Sequence, residues 1–457
     1  MQDLLEFIRN NLNQTQAQIL LKALKNSHNE NFFSFVMKNI NIICEWLNSY
    51  EFKENYLNNP YPALINPNFI DTDSSRYCAE LAWDLNLPLP QHYKFIYISP
   101  HGVGAAAFLR YLNEGCNVLC FPSWTSPEDA KERYCMHYMH LNSNIKQYAI
   151  NISELNIPNF DKFLALLNPN SKIICSVRDP ISILKHNWGR DWTKITRNYP
   201  RDFDLTYDYR TYIKFLTHNA KTEIKVDFEE LNNSVFILNF LLQYFNKEQI
   251  YYLDMNSIIP KNAFKTLDFL ARKFSFTPPL QEKQSFFKIQ EFQGYIRYLF
   301  PITLYVNEKD IKNRFTINNP KIYDLEIDPL NSIAITLDRP RENEQINIIK
   351  LIINDDLSND IALYIQKEDL EKLTNNAQLF TIVKEYLRDF LYEIKKINHK
   401  NQLMMMKEEE VLSIFNANKF LASKFLNIFK KEYQHLKQNR PDIINSWKYY
   451  QEFKKIF

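Results

Sequence analysis

Glycine is almost missing from this chain, with five in 457 residues. A sequence so poor in glycine keeps it for positions where a side chain does not fit. Two of the five, Gly102 and Gly104, stand two positions apart. Long apolar runs are missing as well: no stretch reaches the roughly 18 residues that a membrane-spanning helix needs, which excludes a membrane span. Excess charge is missing too. With 55 basic against 53 acidic side chains and a net charge of +2, no global field recruits nucleic acid or an anionic membrane. Any anion site must therefore be local. The six cysteines, Cys44, Cys78, Cys116, Cys120, Cys135 and Cys175, lack the dense spacing of a disulfide scaffold and read as reduced, buried thiols. The first residues carry acids and no basic-then-apolar-then-small pattern, so no secretory signal is read and a cytoplasmic location is expected.

What is present is enough apolar material, 45% of residues, to bury a full core in two to four structural units. Residues 3–57 show helical spacing of leucine and isoleucine, and Asn59-Pro60-Tyr61-Pro62 breaks it. From 93 to 280, apolar runs alternate with helical stretches. Strands are expected at 95–98, 118–121, 148–152, 173–177 and 250–253, and helices at 105–112, 129–140, 159–167, 180–188, 208–220 and 261–274. That alternation predicts an α/β layer with a mostly parallel sheet. Runs at 300–307, 331–338 and 346–353 predict a small second sheet, and leucine and phenylalanine spacing with Lys and Glu from 367 onward predicts long helices. The expected division is a helical region and linker at 1–90, an α/β core at 91–280, a small β-rich segment at 281–360 and a helical region at 361–457.

Gly102 and Gly104 fall between an expected strand and helix, in Ser99-Pro100-His101-Gly102-Val103-Gly104. Such a junction aims backbone N–H groups and the positive end of a helix dipole at one point, a ready site for phosphate or sulfate. The alternative is that both glycines let neighbouring elements pack closely. A second segment, Ile173-Ile174-Cys175-Ser176-Val177-Arg178-Asp179-Pro180, ends a strand, caps a helix with Asp179 and places proline first in that helix. Arg178 then emerges at a strand's C-terminal edge, where open α/β sheets bind ligands, with Ser182 and His186 following near one helical face. Its planar fork suits a phosphate. The alternative is a local pair of Arg178 with Asp179, and Ser182 and His186 at the surface.

With a third piece, Tyr251-Tyr252-Leu253-Asp254 and the helix that follows it, these segments resemble the sulfotransferase superfamily, over about residues 93–278. The resemblance implies a P-loop/sulfotransferase-like core and transfer of a sulfuryl group from 3′-phosphoadenosine 5′-phosphosulfate to a hydroxyl of a carbohydrate or glycan precursor. It assigns the 5′-phosphosulfate to His101, Gly102, Val103, Gly104, Ala105 and Ala106. It assigns the 3′-phosphate to Arg178 with Ser182 and His186, His186 standing at the family's serine position. His101 and Ala105-Ala106-Ala107 occupy places where that family offers a cation and hydroxyls. The stretch 61–67 and the overall layout are also similar to an uncharacterised epsilonproteobacterial family found near surface-glycan genes.

Sulfuryl transfer needs a base for the acceptor hydroxyl, and the resemblance implies one just after the strand at 148–152. Glu154 comes first there, with a solvated helix cap as its alternative role, and with His137 and His140 behind it and His101 in the loop itself. Cys135, His137 and His140 lack a further pair of ligands nearby, and Cys116 and Cys120 would lie roughly 13 Å apart on a strand, so no metal is expected. Trp188-Gly189-Arg190-Asp191-Trp192 reads as a turn beside an acceptor pocket or as plain packing. Met404-Met405-Met406 before Lys407-Glu408-Glu409-Glu410 reads as helix interior followed by a charged face, and the C-terminal helices could serve as an oligomer surface. Two other functions compete. A P-loop nucleotide kinase would need the Gly-Lys-Ser/Thr ending that this loop lacks. A noncatalytic binding or assembly protein would need only the core.

Overall fold

The computed structural model describes residues 2–27, 29–69, 73–122, 129–153, 157–189, 199–216, 236, 238–288, 299–318, 327–341, 344–353 and 361–457. Isoleucine-rich runs build four strands of one sheet: Ile96–Ile98 (β1), Ile150–Ile152 (β2), Ile173–Val177 (β3) and, after Asp202–Asp204 (β4) of a second sheet, Ile250–Asp254 (β5). Branched side chains suit strands buried on both faces. The sheet is all parallel in the order β2-β1-β3-β5, with Ile96 opposite both Ile150 and Ile173, and Ile173 opposite Ile250. A parallel bridge between Leu119 and Tyr148 adds a position outside β2.

Side chains alternate across this sheet. Ile96 and Ile98 point into one core with the N-terminal helices, the helices Ala130–Leu141 and Pro180–Trp188, and the C-terminal helices from Glu408–Ala417 to Lys448–Lys454. Tyr97, Ile174 and Leu253 point into the other, against the helices Ala105–Arg110 and Pro260–Phe274. Val411, Phe415, Phe425 and Phe453 of the C-terminal helices are buried in this first core, while Phe420 is exposed.

A second sheet has the order β4-β6-β7-β9-β8, adding Ile302–Val306 (β6), Ile333–Asp338 (β7), Ile346–Asn347 (β8) and Ala362–Ile365 (β9). The 28-residue helix Ala377–Met404 lays Leu379, Val383, Leu387, Phe390 and Ile394 on it. Because β4 and β9 join from 202–204 and 362–365, this layer reaches beyond both limits drawn at 281 and 360.

Three expectations change in detail. The run 118–121 makes only the bridge at Leu119. The run 346–353 is a strand for two residues only, because Asn347 Oδ1 accepts from Ile349 N and Leu363 N and turns the chain into the helix Ile349–Ile352, whose Ile349 and Ile352 are buried. Met404-Met405-Met406 is not helix interior: the long helix ends at Met404, Met405 is extended, and Met406 is buried in the link to Glu408–Ala417. Among the described residues no helix is long and apolar enough to cross a membrane.

Candidate functional site

From β1 the chain crosses to the side of the sheet that holds Leu119 and β2, whereas from β3 it crosses to the β5 side. The crevice beyond the C-terminal ends of β1 and β3 is therefore the switch point of the sheet, the place where such folds bind ligands. The loop 99–104 leaves β1 there, and Arg178 leaves β3 there.

The loop is built by its glycines. Gly102 and Gly104 have φ of +89° and +85°, left-handed values that a side chain resists. Both also pack closely. A Cβ on Gly102 would lie 3.4 Å from the His186 ring, and one on Gly104 would lie 3.3 Å from Met255. The cradle geometry and the close packing thus coexist at both positions. Gly104 is the N-cap of Ala105–Arg110, which continues as a wider turn over Tyr111–Gly115. The first bond of the helix runs from Phe108 N to Gly104 O, so the N–H groups of Ala105, Ala106 and Ala107 face out of the helix start. Val103 is buried beneath the loop.

Arg178 closes the crevice by donating from Nη1 to Gly102 O at 2.8 Å. Burial lowers the pKa of its guanidinium, against the carboxylates of Glu408, Asp179 and Asp254, and it stays a cation. Asp179 caps its own helix as expected and reaches a second one. Its Oδ1 accepts from Ile181 N at 3.0 Å, while its Oδ2 accepts from Tyr449 N at 2.9 Å and Tyr450 N at 3.2 Å. One carboxylate thus caps the helices Pro180–Trp188 and Lys448–Lys454. Burial raises its pKa, against the hydrogen bonds from those three N–H groups and the charge of Arg178.

The structure brings His101, Gly102, Arg178 and His186 together, the two imidazole rings lying 5.2 Å apart. Ser182, on the same helix as His186, is buried and donates to Glu408 Oε1 at 2.8 Å; the same oxygen lies 2.8 Å from Lys185 Nζ. His137 is engaged elsewhere. It is buried, its Nδ1 bonds Tyr148 Oη at 2.7 Å and its ring stacks on Phe163, and burial, helped by His140 and Arg133, pushes its pKa down to about 3. Glu154, Arg190 and Trp192 lie outside the described residues. Among the described residues no group of three acidic, histidine or cysteine side chains could hold a metal ion.

Three residues escaped sequence reasoning. Arg133, buried on the helix Ala130–Leu141, donates to Ser153 O at 3.2 Å just past β2. Lys185 and Glu408 meet across the site, and no local pattern marks a contact between residues so far apart.

Fold and site together define an α/β protein whose glycine loop and arginine meet at a parallel-sheet switch point beneath C-terminal helices. Residues 252–457 match a family model described as "Protein of unknown function (DUF2972)". No curated protein and no solved structure matches the chain.

Proposed function

We propose that this chain is a sulfotransferase-like transferase whose 101–106 loop holds the sulfated end of 3′-phosphoadenosine 5′-phosphosulfate, with a carbohydrate or glycan-precursor hydroxyl as acceptor. The observation that carries it is the Arg178–Gly102 hydrogen bond, which joins the loop to the only charged residue between β3 and its helix cap. Arg178 holds the loop by its carbonyl, leaving the outward N–H groups of 105–107 for a sulfate or phosphate oxygen. The parallel order, with the glycine loop leaving the central strand β1, supports a P-loop/sulfotransferase-like sheet. In the step itself the acceptor oxygen bonds to sulfur as the bridge to phosphate breaks. The acceptor proton passes to a base, for which His101 is the described candidate inside the loop. The donor is a nucleotide of the cytoplasm, and the reading assigns no metal.

A second reading, a noncatalytic binding protein on the same core, is favoured by the bond from Ser182 to Glu408 and by the alanines at 105–107. Titration calorimetry with adenosine 3′,5′-bisphosphate separates the two, with turnover of radiolabelled donor as the second measurement. The transferase reading expects binding that falls by about tenfold or more in Arg178→Lys, which keeps charge but loses the fork. Binding without turnover on any sugar acceptor selects the second reading, and absence of nucleotide binding overturns both donor assignments.

A further inference from the structure

The helix Pro180–Trp188 carries a polar cluster that the resemblance covers only in part. Ser182 Oγ and Lys185 Nζ, one turn apart, converge on a single oxygen of Glu408, each at 2.8 Å. Arg178 stands at the start of the same helix, and Glu408 is the foremost carboxylate acting on it. The Glu408 side chain is only 14% exposed and that of Lys185 26%, so the three groups form an enclosed site and not a surface ion pair. Burial works against the charge of Glu408, yet the bonds from Lys185 and Ser182 hold its carboxyl below the ordinary value.

The segment that delivers Glu408 is built to reach this spot. Met406 is buried against Gly189, where a Cβ would come 2.7 Å from Met406 Cβ, so glycine is needed for the link to lie down on the helix end. Glu410 Oε2 accepts from Lys407 N, which fixes the start of Glu408–Ala417 beside it. The neighbouring Glu409 and Glu410 are exposed. One carboxylate of three consecutive ones is thus turned inward onto a serine and a lysine, near enough to act on the charge of Arg178.

We infer that Arg178, Ser182 and Lys185 form an anion subsite for a phosphate or sulfate monoester, and that Glu408 fills it as an internal surrogate which the ligand must displace. Lys185 is the residue this adds. A tetrahedral dianion offers more acceptor oxygens than a carboxylate to the same donors, and its entry lifts the 405–410 link from Gly189. Because the filled state competes with ligand, the apparent affinity is lowered by the fraction of open site. As the seat of a nucleotide's 3′-phosphate the assignment rests on the transferase reading above; as an anion subsite it stands without it.

The test compares the full chain with Glu408→Gln and the charge-matched Glu409→Gln by calorimetry against adenosine 3′,5′-bisphosphate, adenosine 5′-monophosphate and inorganic phosphate. The expected result is that Glu408→Gln binds the bisphosphate and phosphate about tenfold tighter, leaves the monophosphate within about twofold, and differs from Glu409→Gln in both respects. Hydrogen exchange of 405–411 should speed up when bisphosphate binds the unaltered chain. Tighter phosphate binding by Glu408→Gln without nucleotide binding keeps the subsite and removes the donor reading. Monophosphate binding with no gain for phosphate or bisphosphate removes the subsite and keeps the loop. If Glu408→Gln does not fold, Lys185→Gln carries the test: the preference for bisphosphate over monophosphate must vanish, and its persistence overturns the proposal.

Discussion

Trp447 donates its indole N–H to Asp254 Oδ2 at 2.7 Å, a bond between residues 193 positions apart and buried from solvent. It ties the helical C-terminal region to the last strand of the parallel sheet. With Asp179 holding the N–H groups of Tyr449 and Tyr450, two aspartates at the C-terminal edge of that sheet anchor the same stretch of chain.

Trp447→Phe keeps most of the packing of Trp447 against Phe429 and Tyr433 but leaves a buried carboxylate oxygen of Asp254 without its donor. A hydrogen bond to a charged group is worth about 1.5–3 kcal/mol, and the expected loss lies in that range. Urea unfolding at neutral pH measures it. A loss no larger than that of an exposed Tyr50→Phe control would show that the bond contributes nothing.

Asp179→Ala removes the caps of two helices in one step. The expected cost is about 2–4 kcal/mol, the sum of a lost N-cap and of buried N–H groups left without an acceptor. Asp179→Asn, which keeps one acceptor oxygen, should lose less. Equal losses in the two variants would argue that the charge matters and the capping does not.

Gly104→Ala must place a side chain at φ +85°, at a cost of about 1–2 kcal/mol for the left-handed backbone. It also brings a Cβ to 3.3 Å from Met255 and 3.4 Å from Ile258. A lower unfolding midpoint is expected, with Gly104→Val below Gly104→Ala. Unchanged stability in both would remove the strained-loop description.

His137 gives the protein a pH dependence of known sign. Its folded pKa of about 3 lies below the ordinary value of 6.5, so the unfolded chain binds the proton more readily. The stabilising contribution is complete above the unfolded value and is lost as pH falls from there toward about 3, at up to about 1.4 kcal/mol per pH unit for one proton. Unfolding midpoints from pH 7 to pH 5 should fall less steeply in His137→Asn, which removes the titrating ring. Parallel slopes in the two proteins would contradict the buried, neutral imidazole.

The helix 180–188 and the strand 173–177 were legible to the residue, because Asp179-Pro180 is a local start signal and a run of branched residues ended by a charge is a local strand signal. Likewise the two glycines announced a loop. The meeting of Arg178 with Gly102 was not legible, because the sequence carries no strand order and only the adjacency of β1 and β3 brings their C-terminal loops together. Also hidden is everything that the C-terminal helices do to the site. Glu408 looked like one of three solvated acids, and only the fold turns it inward. Asp179 looked like a cap for its own helix, and nothing local shows that its second oxygen serves Tyr449 and Tyr450. His137 looked available as a base because burial cannot be read from a helix lined with Tyr134, Cys135 and Tyr138.

The late arrival of Trp447 also sets a timetable for synthesis. Asp254 leaves the ribosome 193 residues before its partner, an interval of about 10–40 s at ordinary elongation rates. Through that interval the helix Pro180–Trp188, with Ile181 and Leu184 in the core shared with Phe425 and Phe453, lacks the cover of the C-terminal helices. A nascent chain stalled at this stage would present an open sheet edge and an apolar helix face to any holdase present. Its yield in cells would then depend on chaperone supply more steeply than its final stability suggests.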